Sequence, residues 1–212
     1  MGQEKKIPEI VIKRLPVYYR FLTNLHNMGI SRVSSKDLGT KIGITSSQVR
    51  QDFFHFGSFG LQGYGYDVFQ LLTEIRGILG LDKQRNMIIV GAGHLGQALA
   101  RHSAFEKDGF SIIGVFDVSP HLIGEVIQDI PIMHVNKIPD FIKDQSVDIA
   151  VITVPRVYAN EISTFITDLG IKGIWNFTSV RLTVPSDVAV ENIHLSDSLM
   201  SLGYFMKEKE SR

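Results

Sequence analysis

The sequence predicts an α/β protein of two domains: a small winged helix-turn-helix, then a doubly wound parallel sheet, with one further helix at the C-terminus. Three observations carry that reading. Residues 86–117 hold, in order, a short apolar run, Gly91, Gly93 and Gly96 in G-x-G-x-x-G spacing, a helical stretch, a second apolar run and a terminal acid, Asp117. Residues 34–56 hold two short helical patterns around Gly43, each opened by a capping residue. Beyond Asp117, apolar runs alternate with helical patterns to residue 195, as in a parallel sheet with helices on both faces.

A chain of 212 residues is long enough to bury a core of its own. It has no cysteine, which excludes a disulfide scaffold, a thiolate metal site and a cysteine nucleophile. Its seven histidines are scattered without ligand spacing, so no metal site is expected. The N-terminus lacks a signal-peptide core and no stretch approaches the ~18 apolar residues of a membrane span, so the expectation is a cytoplasmic protein. The net charge of zero is uneven. Residues 1–80 carry 10 Lys and Arg against 6 Asp and Glu, and residues 81–212 carry 12 against 16. A basic first part suits a polyanionic partner, although a solvated basic face is the plainer alternative.

In chain order, residues 8–28 read as a helix that Pro16 bends or divides, with Leu15, Tyr18, Tyr19, Leu22 and Leu25 near helical spacing. Ser34 with Asp37, and Thr45 with Gln48, have capping-box-like spacing at the next two helix starts. On this reading the second helix, residues 46–56, enters a major groove with Ser46, Ser47, Gln48, Arg50 and Gln51 as contacts. A small helical dimerisation unit is the alternative. Residues 57–68, rich in glycine and aromatics, read as the wing or as the packing edge of a small domain. Residues 67–79 form an amphipathic helix, and the first domain closes at residue 80.

The second domain, residues 81–195, is Rossmann-like. Gly91 permits a tight turn, Gly93 lets backbone approach a pyrophosphate, and Gly96 lets the helix over residues 97–103 pack on its strand. The turn also carries Ala92, His94 and Leu95, and the helix start offers free N–H groups to phosphate. Asp117, with Val118 after it, is placed to accept hydrogen bonds from the adenosine ribose. A structural glycine turn in an ordinary βαβ unit is the alternative. Further strands are expected at 130–135, 147–154, 172–177 and 188–195, and helices at 138–145 and 157–169. Thr153, Val154 and Pro155 end a strand at the carboxyl edge, where such sheets bind ligands, unless Pro155 only stops the strand. Residues 196–212 form the C-terminal segment. Leu199, Leu202, Phe205 and Met206 give it an apolar stripe that packs on another subunit or on its own domain.

The stretches RLPVYYRFL, SSKDLGTKIGITSSQVRQDF, FGSFGLQGYGYDV, VGAGHLGQALA, GVFDVSP, TVP, GIKGIWNF and VAVEN together resemble the Rex family of redox-sensing transcriptional repressors, from about Pro8 to Met206. The resemblance implies a homodimer with swapped C-terminal helices, NAD as cofactor, and double-stranded operator DNA as a partner released by NADH. By the same resemblance Gly91–Gly96 hold the pyrophosphate and Thr153–Pro155 lie along the cofactor, while Phe105 and His102 wall the nicotinamide end. Arg14, Ser47, Gln48 and Arg50 face DNA. Family members usually carry lysine at Gln51, tyrosine at His55 and arginine at Gln62, so Gln51, His55 and Gln62 mark an altered DNA surface, on which Tyr64 is a further contact. A tyrosine and an aspartate usually stand at His102 and His194, where they exchange partners with Arg20, so any switch in this chain uses different chemistry, the alternative being that both histidines are ordinary polar residues at a domain edge. Two other functions stay open: a nucleotide-sensing interaction protein with lost or altered operator binding, and a small NAD-dependent oxidoreductase.

Overall fold

The computed structural model describes residues 7–57, 60–61 and 64–210. The chain divides into two compact units between Lys83 and Gln84.

The first unit opens with α1 (Glu9–Ile12) and α2 (Leu15–Asn27). Pro16 separates them: it has no N–H to continue the first ladder, yet it suits the first turn of α2, where that donor is not needed. After β1 (Arg32–Val33) come α3 (Ser35–Ile42) and α4 (Ser46–Phe54). Both predicted caps form, with Ser34 Oγ accepting from the Asp37 N–H at 3.0 Å and Thr45 Oγ1 from the Gln48 N–H at 3.1 Å. Gly43 closes α3 in the left-handed region, φ 78°. α4 stops at Phe54, earlier than the expected residue 56, because His55 and Phe56 fold into a turn back onto Asp52 and Phe53. β2 (Gly60–Leu61) and β3 (Gly65–Asp67) follow, and β3 pairs antiparallel with both β1 and β2. α5 (Val68–Ile78) starts on the Asp67 cap. Leu15, Tyr18 and Leu22 of α2, Leu38 of α3, Val49 and Phe53 of α4, and Leu71 and Ile75 of α5 close one core.

The second unit is a seven-stranded sheet. Its strands are β4 (Arg85–Val90), β5 (Phe110–Asp117), β6 (Val126–Ile127), β7 (Ile130–His134), β8 (Ile149–Ile152), β9 (Gly173–Asn176) and β10 (Ala189–Asn192). The order is β10-β9-β8-β4-β5-β7-β6, parallel throughout except for the short β6–β7 hairpin. The helices are α6 (His94–Ala100), α7 (Ala104–Lys107), α8 (Ile138–Asp144) and α9 (Ala159–Asp168). The chain leaves β4 for β5 on one side and returns after β7 to β8 on the other. The carboxyl end of β4 is therefore the switch point where open α/β sheets bind ligands. The helix expected over residues 97–103 lies three residues earlier, because α6 begins at once after Gly93 and ends at Ala100, and the short α7 after it was not expected.

α10 (Leu195–Glu210) starts one residue earlier than expected and runs four residues past Met206. It has no buried residue, and Leu199, Leu202 and Phe205 are all more than half exposed.

Candidate functional site

A cleft of about 850 Å³ opens at the carboxyl ends of β4 and β8. Gly91, Gly93, Asp117, Val118, Thr153, Val154 and Pro155 line it, so seven of the residues singled out in the sequence converge there. Gly91 sits at φ 105°, and a Cβ on it would meet the Thr153 carbonyl carbon at 2.8 Å. A Cβ on Gly96 would collide with the Gly91 carbonyl, so this glycine is what lets α6 start so close to β4. A Cβ on Gly93 would meet nothing within 4 Å, which leaves the approach to the turn clear. Thr153 Oγ1 donates to the Gly91 carbonyl at 2.7 Å and ties the β8 end to the turn. Gln97 Nε2 donates to the Ala92 carbonyl at 2.9 Å and holds the turn from the helix side.

Asp117 is already engaged. Its Oδ2 accepts from the Ala92 N–H at 2.6 Å and its Oδ1 from the Ser119 N–H at 2.8 Å. Each carboxylate oxygen can accept a second bond, so the carboxylate both braces the glycine turn and retains capacity for a hydroxyl. Of the other turn residues, Ala92 is buried, Leu95 is half-buried and His94 is exposed at the first position of α6. A clear approach over Gly93, exposed residues where α6 starts and a carboxylate with spare accepting capacity at the end of β5 fit a dinucleotide.

His102 and Phe105 are not in this cleft. The two rings meet edge to face at 4.7 Å, Phe105 meets Trp175 at 5.5 Å, and Trp175 meets Phe177 at 4.6 Å. Phe105 lines a separate cavity of about 470 Å³ with Met87, Phe110, Ile149 and Trp175, most of whose walls come from the amino-terminal parts of the strands. His194 is exposed just ahead of α10, where its carbonyl accepts from the Asp197 N–H at 3.1 Å. Arg20 is exposed on α2.

In the first unit, Ser47, Arg50, Gln51 and Phe54 form the exposed stripe of α4 at i, i+3, i+4 and i+7. Helix-turn-helix proteins read a major groove with side chains so spaced. Arg50 is braced along the stripe, its Nη2 donating to Ser47 Oγ at 3.0 Å and its Nη1 to Ser35 Oγ at 3.2 Å. Phe54, 68% exposed, extends the surface beyond the residues chosen from the sequence. Ser46, Gln48 and His55 are half-buried, Tyr64 is exposed, and Gln62 lies outside the described residues.

Arg14 and Gln48 play another part. Asp52, on the inner face of α4, is fully buried. It accepts from Arg14 Nη2 at 2.6 Å, Arg14 Nε at 2.8 Å, Tyr18 Oη at 2.8 Å and Gln48 Nε2 at 2.9 Å. Burial pushes the Asp52 carboxyl up, but the hydrogen bonds from Arg14, Gln48 and Tyr18 outweigh it and hold the group below the usual carboxylate range. Burial, then the bond to Asp52, raises the Tyr18 phenol. The Arg14 guanidinium thus clamps α4 against α2 and enters any DNA surface as its support, not as a free cation.

A helix-turn-helix unit with a reading stripe, joined to a sheet with a dinucleotide-type cleft, defines a class of ligand-responsive DNA-binding regulators. Comparison with known proteins agrees for both units. A family model described as a DNA-binding protein N-terminus matches residues 6–53, and one described as a CoA binding domain matches residues 82–180. The redox-sensing transcriptional repressor Rex of Clostridium botulinum is 49% identical over 99% of this chain and 100% of its own. That of Caldicellulosiruptor bescii is 50% identical over 99% and 96%. Among solved structures, RSP in complex with β-NAD⁺ and operator DNA superposes with a TM-score of 0.89 at 46% identity, covering 97% of this chain and 94% of RSP. RSP in complex with β-NADH gives 0.88 at 44% identity over 96% of each chain. The chain belongs to the Rex family of redox-sensing transcriptional repressors.

Proposed function

We propose that this protein is an NADH/NAD⁺-responsive repressor that binds operator DNA as a homodimer and leaves it when NADH is bound. The observation that carries the reading is that one chain holds both the stripe of α4 and the cleft at Gly91, Gly93 and Asp117. It does so at 46% identity to a repressor solved with β-NAD⁺ and operator DNA. Ser46, Ser47, Arg50, Gln51, Phe54, His55 and Tyr64 form the DNA surface, and Arg14 and Gln48 stiffen it from behind. Gly91 to Gly96, Asp117, Val118 and Thr153 to Pro155 hold the dinucleotide. α10, which exposes apolar side chains from Leu195 to Met206, is the element that joins two copies. Arg20, His102 and His194 form the switch between the bound and released states. The chain is a regulator of the cytoplasm, not an enzyme. Among the described residues no helix is long and apolar enough to cross a membrane.

Selection of bound duplexes from a random pool, run with NAD⁺ and again with NADH, tests the reading. It expects one two-fold-symmetric sequence enriched with NAD⁺ and lost with NADH. Enrichment of nothing, or of the same duplexes with both cofactors, would overturn it.

A further inference from the structure

Nothing in the glycine turn or at Asp117 grips the base at the adenosine end of the cleft. Past Asp117 the lining comes from both sides of the central strand. Val118 and Leu122 follow β5 and Val135 follows β7, while beyond β8 Tyr158 comes just ahead of α9 and Glu161 and Ile162 from its first turn. Exposed apolar side chains are ordinary when scattered. Here Val118, 63% exposed, and Tyr158, 55% exposed, line the same cleft together with Leu122, Val135, Ile162 and Glu161. The result is a largely apolar slot with an aromatic ring at its lip and one carboxylate, Glu161, in its wall. Tyr158 is held there by its backbone. It ends the short 3₁₀ turn Arg156–Tyr158, its N–H donates to the Pro155 carbonyl at 2.9 Å, and the next residue, Ala159, is fully buried. The segment Thr153 to Pro155 that walls the phosphates therefore also sets the ring.

We propose that Tyr158 is the base-stacking residue of this site, laying its ring on the adenine opposite Val118 and so favouring a purine over a smaller base. The proposal rests on the dinucleotide reading of the cleft. Stacking of a base on an aromatic side chain is sequence-tolerant and follows ring area, and losing it by truncation to alanine lowers affinity by about tenfold for a partly exposed ring.

Calorimetric titration of the full chain decides it, using NADH, ADP-ribose and nicotinamide cytosine dinucleotide. Tyr158→Ala is expected to weaken NADH and ADP-ribose about tenfold each, to weaken the cytosine analogue less, and so to shrink the purine preference. Tyr158→Phe should bind like the parent, because the ring and not the hydroxyl is used. A Tyr158→Ala protein with unchanged affinities, equal losses for both bases, or a Phe variant as weak as the Ala variant would each overturn the proposal. A parent chain that binds neither NADH nor ADP-ribose would instead overturn the dinucleotide reading beneath it.

Discussion

Replacing Arg14 with methionine would leave the Asp52 carboxylate fully buried with only Tyr18 and Gln48 to satisfy it. Removing one partner of a buried pair costs about 3–5 kcal/mol, because the surviving charge is stranded. Two donors remain here, and the Arg14 side chain is 24% exposed, so the low end applies, about 3 kcal/mol. The two units need not unfold together, so the measurement is hydrogen exchange over residues 46–54 in the full chain. A loss of that size lowers protection by roughly 100-fold. Adding Asp52→Asn to Arg14→Met should restore most of it, since no charge then lies buried. The pH response has a definite sign. In the parent chain the Asp52 carboxyl is held below its ordinary value. Its contribution is therefore complete above the unfolded value, ~3.9, and is lost as pH falls through the lower folded value. Without Arg14, burial dominates and the carboxyl rises, so the gap between variant and parent narrows on acidification. A gap that stays constant from pH 7 to pH 4, or a protection loss under about threefold, would refute the clamp.

Three further outcomes follow. NADH should bind more tightly than NADPH, because Asp117 and Glu161 both line the cleft while no Lys or Arg does among its described lining; calorimetry checks this, and Asp117→Ala should weaken NADH more than NADPH. Deleting residues 196–212 should give a monomer by light scattering, with much weaker operator binding, and a truncated chain that stays dimeric would contradict the role given to α10. Gln51→Lys places a cation on the exposed stripe of α4 beside Arg50, so the slope of log affinity against log salt should steepen by about one unit.

Much of this architecture was legible because it rests on local rules. Ser34 and Thr45 cap their helices, and Gly91 and Gly96 stand where a side chain would strike backbone. What escaped was decided by contacts distant in sequence. Asp52 looks like one more polar residue of a recognition helix until Val49, Asp52 and Phe53 are seen to share its buried face. Its partners Arg14 and Tyr18 lie more than thirty residues upstream. The spacing of Val49, Asp52 and Phe53 was the available signal. Phe105 is one residue of an aromatic run through Trp175 to Phe177, and only the fold shows that it lines a different cavity from the glycines. The cleft wall is legible in the sequence to Pro155 and not to Tyr158, because the 3₁₀ turn Arg156–Tyr158 carries the chain past two residues that do not line the cleft before Tyr158 rejoins it.

The reduced cofactor, and not the oxidised one, should empty the DNA surface. Fluorescence anisotropy of a labelled duplex recovered with NAD⁺, titrated with NADH against fixed NAD⁺, measures this. Anisotropy should fall to that of free duplex as NADH rises, and further NAD⁺ should restore it. Saturation of the protein with NADH, verified by calorimetry, while the duplex stays bound would contradict it.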